Sequence, residues 1–124
     1  MQPFEKLVAW QACHRLVLHA YRVTQRFPIG ERFGLTAQIR RAAVSAAANI
    51  AEGSVKRGKK EFRRYLDNAR GSLSELACLF LVAKDLGLIT NDDATLLDCE
   101  RNRAGALTWK LLMSMTDGSS GGKR

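Results

Sequence analysis

Residues 59–86 read KKEFRRYLDNARGSLSELACLFLVAKDL, and this stretch decides the fold. Phe62, Leu66, Ala69, Leu73, Leu76, Phe80 and Ala83 recur at alternating steps of four and three. That seven-residue repeat predicts a long helix packed nearly parallel to its neighbours, and Gly87 is its natural stop. Leu79, Leu81, Val82 and Leu86 lie outside the main stripe, which leaves the second half of the helix apolar around much of its circumference. A helix apolar on several sides is buried on several sides, whereas a lone bundle covers one stripe per helix. Self-association through this region is therefore expected.

Working outward, Leu35, Ile39, Ala42 or Ala43, Ala46 and Ile50 trace a second stripe whose small residues allow close helix approach. Gly53 follows it where a left-handed C-terminal cap is easiest. Before it, Leu7, Trp10, Cys13, Val17, Ala20 or Tyr21, and Thr24 keep the three-and-four spacing of one helix face up to Phe27-Pro28-Ile29-Gly30. After Leu88-Ile89, Thr90 and Asp93 resemble a capping box with the shorter acid, and Asp92 and Asp93 suit the helix dipole. The helix they open points Leu97, Ala104, Leu107 or Thr108, Leu111 and Met115 inward. The only prolines are Pro3 and Pro28. Helices over about 5–26, 31–52, 59–86 and 91–115, with short links, predict an all-α, antiparallel up-down-up-down four-helix bundle. It fills one domain, 1–116, and the segment 117–124, DGSSGGKR, has the composition of a flexible tail.

The 124 residues suffice for a core without staples. At 46% apolar and 26% charged the chain is neither a disordered nor a membrane composition. Lys and Arg total 20 against 12 acids, giving +8 and a pI near 9.9, a balance that favours polyanions. Cys13, Cys78 and Cys99 are odd in number, far apart and set among apolar neighbours, so they read as reduced core residues of a cytoplasmic protein. There is no signal-like start and no run of membrane-spanning length.

Lys56, Arg57, Lys59, Lys60, Arg63 and Arg64 place six basic residues in a nine-residue window. A charge run is commonly just a solvated helix end. Lys59 and Lys60, however, fall in the first turn of the third helix, where the dipole disfavours each cation by roughly 0.3 to 1 kcal/mol. That placement is easier to understand with an anion there, and Arg40 and Arg41 on the preceding helix join the candidate nucleic-acid site. Such binding is electrostatic and weakly sequence-specific. Phe62 is a core position and Tyr65 suits either role, which favours backbone or shape recognition over a stacking platform. The alternative is a protein-interaction or scaffold module whose basic corner meets an acidic partner. Ser45, Asn49 and Glu52 continue from Arg41 along one face of the second helix, and Ser72 and Glu75 supply a matching strip on the third. They read as a polar network or subunit contact. A carboxylate metal site would want Glu-x-x-His motifs, but His14 and His19 are the only histidines and share the first helix. Ser72 lacks a nucleophile-elbow motif and an activating His, and the SSGG tail lacks the setting of a phosphate loop. No metal, cofactor or catalytic residue is expected, and the chain reads as a non-enzyme.

The run Phe27-Pro28, Glu31, Phe33-Gly34-Leu35, Gln38-Ile39-Arg40-Arg41-Ala42-Ala43, Ser45 and Asn49-Ile50-Ala51-Glu52-Gly53 resembles the four-helix-bundle proteins encoded in intervening sequences of bacterial 23S ribosomal RNA genes. It is similar also to the accessory variability determinants of diversity-generating retroelements. The likeness continues through Glu61-Phe62, Tyr65-Leu66, Ala69, Gly71-Ser72 and Glu75-Leu76 and spans about Phe4 to Leu88, with NIAEG and ARGS-x-x-EL in order. The fourth helix matches in character only. At Ala46-Ala47 the family commonly has Ile-Pro, so a straighter second helix is expected here. The resemblance implies a bacterial, non-catalytic bundle assembled as a homopentameric barrel with a basic surface. In the retroelement branch it implies binding of nucleic acid and a reverse transcriptase, and in the other a link to ribosomal RNA.

Overall fold

The repeat of 59–86 is realised as the longest helix of the chain, and the rest of the fold is arranged around it. A computed structural model describes residues 1–116, so the tail 117–124 lies outside the described residues. A short 3-10 turn (Pro3–Lys6) leads into α1 (Val8–Thr24), and a second one (Ile29–Glu31) precedes α2 (Leu35–Ser54). Then come α3 (Gly58–Asp85) and α4 (Asn91–Met113). Among the described residues there are four long helices and no strand, and no helix is long and apolar enough to cross a membrane.

Each helix packs on two others: α1 on α2 and α4, and α3 on α2 and α4. The core of α3 follows the repeat, with Leu66, Ala69, Leu73, Leu76, Phe80 and Ala83 buried. Phe62 is half-buried against the same core. Opposite them, α2 contributes Ile39, Ala42, Ala43, Ala46, Ala47 and Ile50. The helix runs unbroken through Ala46-Ala47. Fully burying one of the leucines contributes about 1.5–3 kcal/mol.

Three expectations are corrected. Gly53 is no C-cap: it lies inside α2, buried, and the positive φ angles belong to Gly58 (82°) and Gly87 (75°). A Cβ at Gly53 would meet Tyr65 Cβ at 2.7 Å and Phe62 Cδ1 at 2.9 Å. Glycine is needed there for close approach rather than for backbone freedom. Gly58, by contrast, turns the chain sharply from α2 into α3. The first helix begins and ends inside the expected 5–26, because Pro3–Lys6 and the segment after Thr24 tighten into separate turns. Its buried face is Ala9, Ala12, Cys13, Leu16, Ala20, Val23 and Thr24, with Trp10 and Val17 at the edge. Finally, only Cys13 is buried, whereas Cys78 and Cys99 are exposed on α3 and α4.

Thr90 Oγ1 accepts from the Asp93 amide at 3.1 Å, which caps α4. The Asp93 carboxylate turns instead to Arg26 of the first helix's end. About two turns further along, His19 Nδ1 and Glu100 Oε1 meet at 2.6 Å between α1 and α4.

Gly53→Ala is expected to lower stability by about 1–3 kcal/mol through overpacking. Gly71→Ala, inside α3 with nothing near its missing Cβ, should raise it by about 0.5–1 kcal/mol; urea midpoints of the two variants check the pair. Burial pushes the Cys13 thiol from 9.0 up to about 12, against a smaller opposing effect of its hydrogen bond with Thr108. Because the folded chain holds this thiol neutral, its contribution is present below pH 9 and is lost as pH climbs towards 12. A disulfide-exchange reagent at neutral pH should accordingly count two fast thiols in native protein and three after denaturation.

Candidate nucleic-acid interface

The basic run wraps the connection between α2 and α3. Val55, Lys56 and Arg57 bridge the helices, and Arg57 occupies the N-cap position of α3 without a capping hydrogen bond from its side chain. The amides of the first turn of α3 therefore lack side-chain partners, and the positive end of its dipole faces outward. Around that end Arg57, Lys59 and Lys60 are exposed, with no ion pair or side-chain hydrogen bond among the described residues.

Their neighbours are more committed. Lys56 Nζ stands 4.0 Å from Glu52 Oε2, one turn back on α2, and 5.4 Å from the centre of the Tyr65 ring. Arg64 bonds Glu61 at 3.1 Å and lies 5.4 Å from the Tyr65 ring centre. The hydrogen bond and charge of Glu61 hold the Arg64 guanidinium above its ordinary pKa. Arg63 turns the other way: it is half-buried and its Nη1 donates to the Met115 carbonyl just beyond α4. A guanidinium at the negative end of a helix, bonded to a carbonyl left over there, is a stabilising structural contact.

Arg40 and Arg41 stand apart from this corner. Fifteen residues of helix and turn lie between Arg40 and Lys56; at 1.5 Å per helical residue this is roughly 20 Å. Arg40 is a clasp between α1 and α2: Nε donates to Thr24 Oγ1 at 2.9 Å, and the guanidinium lies 4.4 Å over the Tyr21 ring centre. Arg41 is exposed, 4.0 Å from Glu75 of α3. The polar strip does form in part. Ser72 Oγ donates to Ser45 Oγ at 2.9 Å, and Asn49 Nδ2 donates to the Ser45 carbonyl at 2.9 Å and hydroxyl at 3.2 Å. Glu52 and Glu75 flank it at the surface through Lys56 and Arg41. No cluster of three His, Cys, Asp or Glu side chains suited to a metal occurs among the described residues.

The sequence reading passed over one grouping. Arg70 of α3 lies over the ring of Trp109 of α4, 4.5 Å from its centre, and Arg101 lines the same groove. The inward stripe of α4 holds as read at Leu97, Ala104 and Thr108, with Leu111 and Met115 half-buried at its edge and Leu112 buried in addition; Trp109 lies beside that stripe and was not singled out.

Fold and charge together define a small basic protein of four helices, with its densest run of cations at the α2–α3 junction. The chain belongs to the 23S rRNA-intervening sequence protein family, whose model matches residues 5–108 and thus extends into α4. In structure it is similar to a protein of unknown function from the S23 ribosomal protein family of Bacteroides thetaiotaomicron. The two share a TM-score of 0.75 at 16% identity, over 84% of this chain and 97% of that one. That likeness is one of fold. No curated protein matches the chain.

The division of labour within the run is measurable. Arg63→Ala should cost about 1–2 kcal/mol by freeing the end of α4. Lys59→Ala and Lys60→Ala should be neutral or slightly stabilising, since each removes a cation from the positive end of a dipole; thermal unfolding at low and high salt distinguishes them.

Proposed function

We propose that this protein is a non-enzymatic, homo-oligomeric bundle that binds RNA or DNA through the α2–α3 corner. The observation that carries the reading is the trio Arg57, Lys59 and Lys60, unpaired among the described residues around a helix N-terminus with no side-chain cap. Such a placement raises the energy of the empty protein, and a phosphate relieves it by taking both the amides and the cations. Lys56 and Arg64 widen the patch, held beside the Tyr65 ring and by surface ion pairs that exchange readily for a phosphate. Contacts of this kind read charge and backbone, so recognition is weakly sequence-specific.

Assembly is the second half of the proposal. Leu81, Val82 and Leu86 are 58%, 40% and 62% exposed near the opposite end of α3, while Leu79 is buried. Three exposed apolar side chains within six residues support a subunit contact. The motif's likeness to accessory variability determinants extends this to a pentameric ring. The pairing of Gly53 with Phe62 and Tyr65, and of His19 with Glu100, supports antiparallel up-down-up-down order within each subunit. A ring repeats the basic corner and multiplies its effective affinity.

Titration with duplex DNA across a salt series tests the corner. Replacing Arg57, Lys59 and Lys60 with Ala should flatten the slope of log affinity against log salt by about 2 to 3 units, at roughly 0.9 per phosphate. An unchanged slope would overturn the site, and recovery of a single acidic protein partner after nuclease treatment would favour the scaffold reading. For assembly, light scattering should report an oligomer at micromolar concentration that Leu81→Glu with Leu86→Glu converts to monomer; a monomeric parent would refute the ring.

A further inference from the structure

Seven residues beyond Arg63, the same helix presents a second basic feature. Positions 60, 63, 67, 70 and 74 of α3 follow steps of three, four, three and four, which places them along one side of the helix. Arg63 and Arg70 both reach α4, at Met115 and Trp109. Arg70, Leu73, Ser74, Arg101, Gly105 and Trp109 line a groove of about 210 Å³ between the two helices. Gly105 has nothing within 4 Å of where its Cβ would stand, so the α4 wall of the groove is open there.

The composition of the groove is unusual for plain helix packing. Trp109 stays 45% exposed although Arg70 covers part of it. An aromatic of this size ordinarily contributes by being buried. Arg101 sits on the inward stripe of α4, between the fully buried Leu97 and Ala104, and its side chain is only 21% exposed. Its Nε bonds Asp98 at 3.4 Å and one terminal nitrogen bonds Asn102 at 3.1 Å, while Nη1 has no hydrogen bond among the described residues. Arg70 is likewise held by a single carboxylate, Asp67 at 3.2 Å. An indole that Arg70 covers only in part, beside two incompletely partnered guanidiniums, offers exposed aromatic surface and a phosphate counter-charge within one groove.

We infer that the α3/α4 groove is a nucleotide subsite for single-stranded nucleic acid. An unstacked base lies on the exposed surface of Trp109, and its phosphate is met by Arg70 and Arg101. The subsite rests on the reading of the α2–α3 corner as a phosphate surface, and it extends that surface. Lys60 and Arg70 are ten residues apart, about 15 Å along the helix, so one short strand can engage both. Duplex nucleic acid keeps its bases stacked and gains only the corner, whereas a single strand gains a stacked base as well.

The test uses full-length protein carrying Trp10→Phe, so that Trp109 is the one tryptophan, excited at wavelengths where nucleotides do not absorb. A twelve-nucleotide single-stranded RNA should quench Trp109 saturably, and the same sequence as a duplex should bind without quenching. In otherwise wild-type protein Trp109→Leu should weaken the single strand by about tenfold or more and shift the duplex by less than twofold. Quenching by neither form, or equal losses for both, overturns the subsite. A failed corner is told apart with uridine 5′-monophosphate at millimolar concentration. This mononucleotide should quench the Trp10→Phe protein even when Arg57, Lys59 and Lys60 are Ala, and Arg101→Gln should abolish the quenching while circular dichroism stays unchanged. Absence of mononucleotide quenching sinks the groove whatever the corner does.

Discussion

The approach of α2 to α3 at Gly53 is the constraint on which the rest of the molecule depends. With no Cβ on Gly53, the backbone of α2 can lie against the Cβ of Tyr65 and the ring of Phe62. That contact lies one turn past the Gly58 bend, where the pair is closest to its hinge. It fixes how α3 is rotated, and the repeat then delivers Leu66, Ala69, Leu73, Leu76 and Phe80 to the core in sequence. The alanines of α2 continue the close packing along the pair. Tyr65, pinned at its Cβ, in turn holds its ring near Lys56 and Arg64. Packing and the disposition of charge thus descend from the same missing methyl group.

α3 is consequently a helix with two characters. Its first turns carry cations with few partners, and its last turns carry Leu81, Val82 and Leu86 in the open. Between them the buried stripe is continuous, so the two ends are held at a fixed separation by a rigid rod. In the proposed assembly, contacts at the apolar end leave the cationic end free. The two surfaces do not compete, and a change in one can be judged without disturbing the other.

Much of this was legible in the sequence because it depends on local spacing. The repeat in 59–86 gave the right core residues, and Thr90 marked the start of α4. What failed depended on rotation and distance. Alanine is small enough to sit on a face or its edge, so the α1 stripe was right at Cys13, Ala20 and Thr24 but slipped towards Trp10 and Val17, passing over the buried Ala9, Ala12, Leu16 and Val23. A glycine near a helix end signals a cap or a close approach equally well, and only the position of Tyr65 separates them at Gly53. Within the candidate site the cluster of charge was plain. Which cations are spent was not, since Arg63 is taken by a carbonyl 52 residues away and Arg40 by α1. Trp109 and Arg70 meet across two helices, so neither could be singled out from its own neighbourhood.

The groove where Leu7, Val8 and Ala9 face Leu107, Leu111 and Ser114 shows that α1 begins beside the end of α4. Arg63 ties that same end of α4 to the basic helix junction. Both ends of the described chain therefore emerge near the corner, and the links 25–34 and 86–90 lie away from it. A purification tag, fluorophore or tether joined ahead of residue 1 is thereby placed on the side of the bundle that carries the cationic patch. An exposed thiol such as Cys99, in the first half of α4, offers a handle that leaves the patch uncovered.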